Sequence, residues 1–306
     1  MSPFSLDDEH AYRAWRWQKL AGYPRRLDEL QVEVADPTHP SAAEVGAILA
    51  TVERANLALF RWGRPSSAPP VLATFLGALG LLRLDHNPCA EEDGITALEV
   101  RPADDGRTYI PYTNRPLSWH TDGYYNDPAR AVRAWALYCV SDAAAGGENE
   151  AWDHEVAYIR LRDRNPAWVR ALMAPDAMTI PANEHQGAEL RPARAGPVFA
   201  VDPADGHLQM RYSARARNIV WKDDPDTRAA AQALAGLFSA GDDHMLRFRL
   251  GPGEGVVSNN VLHRREGFQD DPAAGRRRLI LRARYLDRVG GSPASRTAGP
   301  PRRITD

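Results

Sequence analysis

The first 90 residues carry apolar positions at helical spacing. Ser5 is followed by three acids within four residues, which is typical of a helix start, and we expect this helix to run to about Ala21. Ser41 is a second candidate cap, and a third helical stretch runs through Leu82. The second helix is predicted by a series of spaced apolar residues: Val45, Ile48, Leu49, Val52 and Leu57.

From about residue 96 the pattern changes to short apolar runs broken by Gly, Pro and Asn. These strand-like runs are ALEVRP, TYIPYT, RAWALYCV, PVFAVDP, HLQMRY, MLRFRL, GVVSNN and RLILRARY. Helical patterns interrupt them at about 154–174, opened by Asp153, and at about 227–239. Many short strands with helices concentrated early predict a mainly β fold with α, a β-sandwich or jelly roll with helices packed on one face.

The chain shows no internal repeat and no convincing linker within 1–288. We therefore expect one domain, with a helical N-terminal part at 1–90 and a jelly-roll core at about 95–287. Residues 289–306 are rich in Gly, Pro, Ser and Arg, and this composition predicts a disordered tail.

Composition narrows the class of protein. The 306 residues are 43% hydrophobic, close to the norm for a soluble globular chain. The formal charge of −2 predicts no nucleic-acid partner, and the lack of a long apolar run predicts no membrane span. Cys89 and Cys139 form neither a disulfide framework nor a CxxC pair, and the charged N-terminus is not typical of a secretory signal. These features favour a cytoplasmic protein.

The segment Trp119-His120-Thr121-Asp122 offers a candidate metal site. If it is a strand, His120 and Asp122 point to the same side, because residues two apart in a strand share a face. Nine histidines and 40 acids predict about one such His-x-Asp/Glu pair by chance. A third ligand from His263 would complete the two-histidine, one-carboxylate set of non-haem Fe(II) oxygenases.

The strand-like segment from Arg276 to Tyr285 gives the pair a context. Alternation places an apolar set on one side and an arginine-rich set, with Arg278, Arg282 and Arg284, on the other. A solvated face is the alternative interpretation, but inside a barrel these arginines would need an anion, because a buried unpaired guanidinium is costly. A dicarboxylate cosubstrate would supply it, since a guanidinium binds a carboxylate with two hydrogen bonds.

Four segments in this order resemble the taurine dioxygenase (TauD/TfdA) family of Fe(II)- and 2-oxoglutarate-dependent dioxygenases. They are WHTDGYY at 119–125, GGEN at 146–149, NVLHRR at 260–265 and RLILR at 278–282. The resemblance spans roughly residues 95–287 and implies a double-stranded β-helix, or jelly roll.

The resemblance also implies roles for single residues. His120, Asp122 and His263 would hold iron. Arg278 matches the arginine that pairs with the distal carboxylate of 2-oxoglutarate, although a register shift would give that role to one of its neighbours Arg276 and Arg277. Two further residues match positions near the cosubstrate: Asn149, where the family has a hydroxyl side chain, and Arg282, which could instead contact an anionic substrate.

The implied reaction consumes 2-oxoglutarate and O2, releases succinate and CO2, and hydroxylates a small polar, anionic molecule, with desaturation or ring closure as open outcomes. Candidate substrate contacts are Tyr112, Asn114, Tyr124 and Arg211, although the first three could be ordinary turn residues. Arg211 could equally be solvated or make an oligomer contact, so a homo-oligomer is also open. The alternative function is a cupin-like metal-binding jelly-roll protein without 2-oxoglutarate-dependent oxygenase activity.

Overall fold

The structure of the protein is a computed structural model that describes residues 2–85, 94–101, 110–185, 188–216 and 219–291. Within these ranges the helices are α1 (Glu9–Ala21), α2 (Ala42–Ala55), α3 (Pro69–Ala78), α4 (His154–Arg164), α5 (Pro166–Leu172) and α6 (Pro225–Ala240). The strands are β1 (Gln31–Val34), β2 (Leu57–Trp62), β3 (Thr96–Leu98), β4 (Leu117–His120), β5 (Ala134–Ser141), β6 (Ala145–Gly146), β7 (Asn149–Trp152), β8 (Met178–Ile180), β9 (Asn183–His185), β10 (Ala188–Arg191), β11 (Arg194–Gly196), β12 (Phe199–Val201), β13 (Leu208–Met210), β14 (Val220–Trp221), β15 (Met245–Phe248), β16 (Glu254–Ser258), β17 (Leu262–Arg265), β18 (Phe268–Gln269) and β19 (Leu279–Tyr285).

Two sheets form the centre of the molecule. The large sheet has the order β1-β2-β16-β5-β19-β3 and the small sheet the order β15-β7-β17-β4. Their pairings are antiparallel, apart from the parallel pair of β1 and β2. The inner faces meet in one hydrophobic cluster, where Trp135 of the large sheet lies 4.4 Å, ring to ring, from His263 of the small sheet. This face-to-face packing confirms the predicted jelly roll.

Helices cover the outer faces of both sheets. The outer face of the large sheet carries Phe60 and Trp62, which pack with Phe75 of α3. On the small sheet, Trp152 packs edge-on against Phe238 of α6 at 5.7 Å. The expectation of helices on one face was therefore too narrow, because both outer faces present large apolar side chains. No helix in the described ranges is long and apolar enough to cross a bilayer.

Helix ends follow local capping chemistry. Ser41 caps α2 as predicted, since its Oγ accepts from the Glu44 N–H at 3.2 Å while the Glu44 carboxylate accepts from the Ser41 N–H at 2.6 Å. The first helix begins later than predicted, because Asp8 rather than Ser5 accepts from a helix N–H. The second helix was wrongly predicted to include Leu57. It ends at Ala55, and its C-cap residue, Asn56, has the left-handed conformation.

Three other expectations need correction. The N-terminal part is helical but also contributes β1 and β2 to the large sheet. In the TYIPYT run, Thr108 and Tyr109 lie outside the described residues, and Ile110–Tyr112 forms a 3₁₀ turn rather than a strand, because the proline offers no N–H to a ladder. The ordered part of the chain extends past residue 288, because Val289 is buried and its N–H donates to Asn259 Oδ1 at 3.0 Å. The rest of the predicted tail, 292–306, lies outside the described residues.

Strand β19 has two different faces. It pairs with β5 from Ile280, opposite Cys139, to Tyr285, opposite Ala134. Ile280 belongs to the cluster between the sheets, whereas Leu281, Ala283 and Tyr285 belong to the cluster under α2 and α3. By alternation, the arginines at 282 and 284 share the inner face with Ile280, as the sequence predicts.

Candidate metal centre

Neighbouring strands of the small sheet bring two histidines and a carboxylate together. His263 of β17 lies opposite His120 of β4, and Asp122 follows two residues after His120. One ligand atom from each side chain can be chosen so that all three lie within 4.8 Å of one another. Among the described residues, no other group of three or more His, Cys, Asp or Glu side chains is arranged in this way. The predicted ligand residues are thus adjacent in space.

Hydrogen bonds fix both imidazole rings in the same manner. The Nδ1 of His120 contacts the carbonyl oxygen of Ser118 at 2.8 Å, and the Nδ1 of His263 contacts that of Val261 at 3.0 Å. A carbonyl oxygen only accepts, so each Nδ1 carries a proton, and in the neutral form of each ring Nε2 has a lone pair. Each Nε2 is therefore available as a metal ligand, and its ring is oriented by a second hydrogen bond.

The electrostatics keep the carboxylate charged and one imidazole neutral. Burial alone would raise the pKa of Asp122, but the nearby His120 imidazole and the positive charges of Arg282 and Arg284 hold it well below its usual range. Burial, reinforced by repulsion from His120 and only partly offset by Asp122, lowers the pKa of His263 to about 3. Metal binding at neutral pH then needs no proton to leave either group.

The donor set fits a non-haem Fe(II) centre. Two neutral imidazole nitrogens and one carboxylate occupy one face of a metal and leave positions open for exogenous ligands. Asp122 is 7% exposed, so the carboxylate is shielded from bulk water, while the two imidazoles are only partly buried and leave an approach to the cluster.

Burial distinguishes the three consecutive arginines before β19. Arg276 and Arg277 are exposed, and Arg276 pairs with Asp142 at 2.8 Å. Arg278 is 6% exposed, and its guanidinium carbon lies 5.1 Å from the ring centroid of Phe268. No carboxylate among the described residues lies within ion-pair distance of it, and burial lowers its pKa to about 10. Asp270 accepts from the Arg278 backbone N–H at 2.9 Å and its charge partly offsets the effect of burial, but among the described residues no carboxylate pairs with the guanidinium.

The Gly-Gly-Glu-Asn turn packs directly on this arginine. Gly147 has φ +82°, and a Cβ atom there would lie 3.7 Å from Arg278 Nε. Asn149, the first residue of β7, is buried, and its Nδ2 is 3.5 Å from the Gly147 carbonyl oxygen. The turn therefore lines the same part of the interior as Arg278.

Arg282 lies on the inner face of β19 close to the ligand cluster. Its charge contributes to the depressed pKa of Asp122 and of His263. Its Nε is buried without a hydrogen-bond partner among the described residues. An anion next to the cluster would satisfy this nitrogen.

The four predicted substrate contacts differ in their burial and in their hydrogen bonds. Tyr112 and Tyr124 are partly buried and pack against the inner cluster, while Asn114 is exposed and its carbonyl oxygen accepts from the Phe268 N–H at 3.1 Å.

The guanidinium of Arg211 donates through all three nitrogens to carbonyls of Met178, Arg194, Gly196 and Pro197. These bonds brace β8 and β11 and use four of the five guanidinium N–H donors, so the structure gives Arg211 a structural role.

Two further arginines, Arg265 and Arg284, are buried, and the sequence pattern assigned a site role to neither of them. Arg265, two residues after His263, donates to the carbonyls of Thr113 and Arg115, and its guanidinium carbon lies 4.8 Å from the Phe268 ring centroid. Side chains alternate along β17, so Arg265 is expected on the same face as His263, and the sequence alone could have indicated it. Arg284 pairs with Asp85 at 2.6 Å, an arrangement that no local sequence signal indicates, because 199 positions separate the two residues.

Comparisons with known proteins identify the family of the chain. A family model described as "Taurine catabolism dioxygenase TauD, TfdA family" matches residues 20–284. The chain is 32% identical over 178 residues to a uridine-5'-phosphate dioxygenase from Amycolatopsis sp, a match that covers 55% of this chain and 60% of that protein.

Solved structures share the fold. A taurine dioxygenase from Burkholderia xenovorans has a TM-score of 0.55 and 18% identity, with 84% of this chain and 87% of that chain covered. An asparagine oxygenase determined with Fe(II), hydroxyasparagine and succinate has a TM-score of 0.54 and 16% identity, with 84% and 93% covered. At these identities the likeness concerns the fold.

Proposed function

The chain belongs to the TauD, TfdA dioxygenase family, and from this premise we propose that it is an Fe(II)- and 2-oxoglutarate-dependent dioxygenase. Its substrate in this proposal is a small, polar, anionic molecule, which it hydroxylates with release of succinate and CO2. The reducing cytoplasm is the proposed setting, because Fe(II) persists there and the buried Cys139 is unpaired.

One observation carries the proposal. A two-histidine, one-carboxylate cluster and the buried guanidinium of Arg278, which has no ion-pair partner among the described residues, occur in the interior of one jelly roll. The first suits Fe(II), and the second suits a carboxylate that the described residues do not place within ion-pair distance. A metal ligand that also carries a distal carboxylate, as 2-oxoglutarate does, satisfies both features at once.

In this proposal each buried group has a role. His120, Asp122 and His263 hold Fe(II), which activates O2 when the cosubstrate is bound. Arg278 binds the distal carboxylate through two hydrogen bonds, and its planar fork fixes the direction of approach. Asn149 can donate an amide hydrogen bond from the turn beneath Arg278, and Arg282 offers its free Nε to an anionic oxygen near the metal.

The anionic substrate class is supported by charge. Arg282 leaves a buried donor unsatisfied beside the cluster, and the Amycolatopsis relative is named for a phosphate ester, uridine 5'-phosphate. A nucleoside 5'-phosphate therefore joins amino acids and sulfonates among the candidate substrates. Tyr112, Asn114 and Tyr124 are proposed to line the approach to the metal, since they lie on the segments that precede and follow its first two ligands.

The test is anaerobic addition of Fe(II) and then 2-oxoglutarate to the metal-free protein. A weak visible charge-transfer band is expected, followed, once O2 is admitted, by succinate formation that the true substrate accelerates. A panel of amino acids, sulfonates and nucleoside monophosphates addresses the substrate. A folded protein that binds Fe(II) but yields neither band nor succinate would contradict the proposal and favour a metal-binding jelly roll without this activity.

A further inference from the structure

We propose that Asn260 is a positioning residue that sets the placement of Asp122 relative to His263 before any metal binds. The inference rests on the proposed function only in taking these two side chains as ligands of one ion. Asn260 itself touches neither carboxylate nor imidazole. It acts through the main chain of Asp122.

The side chain of Asn260 clamps both polar groups of that main-chain unit. Its Oδ1 accepts from the Asp122 N–H at 2.8 Å, and its Nδ2 donates to the Asp122 carbonyl oxygen at 3.0 Å. The second Nδ2 proton goes to the Val132 carbonyl oxygen at 2.7 Å. Asn260 is 7% exposed, so these bonds have little competition from water. Asp122 lies past the end of β4, after Thr121, whose N–H donates to the Tyr212 carbonyl oxygen at 3.0 Å.

The backbone around the clamp takes unusual conformations. Asn260 has φ +54°, and within the described ranges only Asn56 shares a positive φ among residues other than glycine. Such a conformation is unfavourable for a residue with a side chain and persists where surrounding contacts enforce it. Gly123, with φ +64°, lets the chain after Asp122 approach Val132 so closely that a Cβ would lie 2.4 Å from Val132 Cγ2. The clamp and the tight turn thus meet at one point.

The same short segment also orients the third ligand. The residue after Asn260 is Val261, and its carbonyl oxygen accepts from His263 Nδ1 at 3.0 Å. Asn260 therefore holds the main chain of Asp122, and the adjacent Val261 fixes the orientation of the His263 ring. Because ligand placement within about 0.5 Å matters for a metal site, this coupling prepares the site before the ion arrives.

A matched control exists in Asn56. It has the same φ of 54° and a buried, hydrogen-bonded amide, but its partners are Asp153, Asn259 and Arg288 rather than a ligand of the cluster. Loss of its side chain should cost stability without disturbing the metal site. A comparison of the two asparagines separates positioning from general structural support.

The experiment uses the full chain with Asn260→Gly, Asn260→Ala and Asn56→Ala. Glycine accepts the positive φ, so Asn260→Gly removes the clamp with the least risk to folding. Titration with Mn(II) under anaerobic conditions should show affinity lowered about 10- to 100-fold in both Asn260 variants, the range typical of lost supporting contacts around metal ligands. Asn56→Ala should bind Mn(II) like the wild type although it unfolds at a lower temperature.

A second readout does not depend on metal or on turnover. Hydrogen exchange of the metal-free protein should show faster exchange at the Asp122 amide in Asn260→Gly than in the wild type or Asn56→Ala. Unchanged exchange at Asp122 in folded Asn260→Gly would overturn the proposal, whatever the enzymatic result. Faster exchange with unchanged Mn(II) affinity would overturn the positioning role. If the wild type binds Mn(II) without dioxygenase activity, the proposed function fails while the Asn260 test still stands.

Discussion

His120 and His263 lie directly opposite each other in neighbouring antiparallel strands, and their ring centroids are 4.3 Å apart. Each ring donates its Nδ1 proton to the carbonyl of the residue two positions earlier. The two imidazoles are therefore held by the same local device on adjacent strands, and their Nε2 atoms are left for one shared ion.

Removal of either ring should abolish the centre. His120→Ala and His263→Ala are expected to lower Mn(II) affinity at least about 100-fold, beyond the loss typical of a supporting contact, and to eliminate the charge-transfer band. His39→Ala, a change at an exposed histidine, is the control and should leave both unchanged. A band that persists in folded His263→Ala would mean that the ligand assignment is wrong.

Arg278→Ala should raise the KM for 2-oxoglutarate roughly 30-fold or more, since truncation of one partner of a buried charge pair costs about 2 kcal/mol at least. Arg278→Lys keeps the charge but loses the planar fork, so an intermediate KM is expected. Arg277→Ala, at the exposed neighbouring position, is the matched control. Steady-state succinate assays measure all three.

The same Arg278→Ala variant should not lose stability in the absence of cosubstrate. A buried guanidinium without an acid is unfavourable, so its removal is expected to leave the melting temperature unchanged or higher. Thermal stabilisation by 2-oxoglutarate should disappear at the same time. A large drop in melting temperature without ligand would instead indicate a structural role for Arg278.

Acid stability should depend on the buried cluster of Lys19, Asp153 and Glu155. Lys19 Nζ lies 2.7 Å from Asp153 and 2.6 Å from Glu155. Although burial opposes it, Lys19 lowers the pKa of Glu155 to about 2, from 4.5 ordinarily. Because the folded-state pKa is the lower one, this stabilisation is present above about pH 4.5 and is lost as the pH falls towards 2.

Two variants check this linkage. Glu155→Gln should flatten the dependence of the unfolding free energy on pH between about 2 and 4.5. Lys19→Met should cost about 3–5 kcal/mol at pH 7, because it leaves buried carboxylates unpaired. Arg13→Gln breaks an exposed ion pair with Glu9 and should change stability by less than about 1 kcal/mol. Urea unfolding across the pH range measures each.

Two glycines should respond oppositely to alanine. Gly46 lies within α2 with no atom within 4 Å of an added Cβ, so Gly46→Ala should stabilise by about 0.5–1 kcal/mol. At Gly255 in β16, a Cβ would lie 2.2 Å from Phe60 Cζ and 2.7 Å from the Leu137 carbonyl oxygen. Gly255→Ala should therefore destabilise by about 2 kcal/mol or more. Equal effects in thermal unfolding would contradict this account.

Features with a local physical cause could be predicted from the sequence. The cap at Ser41 depends on residues three positions apart, and the two faces of β19 follow from strand alternation. The proximity of His120 and Asp122 needs only a short extended segment. Their meeting with His263 required the additional assumption of a barrel, which the order of the motifs supplied.

Features that depend on distant partners could not be predicted. The short apolar run of β2 reads equally well as the continuation of a helix, and only its place in the large sheet decides between them. Arg211 belongs to an arginine-rich segment that suggests anion binding, yet carbonyls of β8 and β11 take up its donors. The role of Asn260 depends on a contact across 138 positions.

The place of β2 between β1 and β16 limits how the protein can be divided. All five residues of β16, from Glu254 to Ser258, are register partners of β2. A fragment that starts at residue 95 would keep every metal ligand but expose that strand as a bare, largely apolar edge beside the segment that carries Asn260. Such edges pair with other chains. Shortened versions of this enzyme should therefore aggregate rather than act as minimal catalysts, and tags or fusions should be attached outside the stretch from β1 to β19.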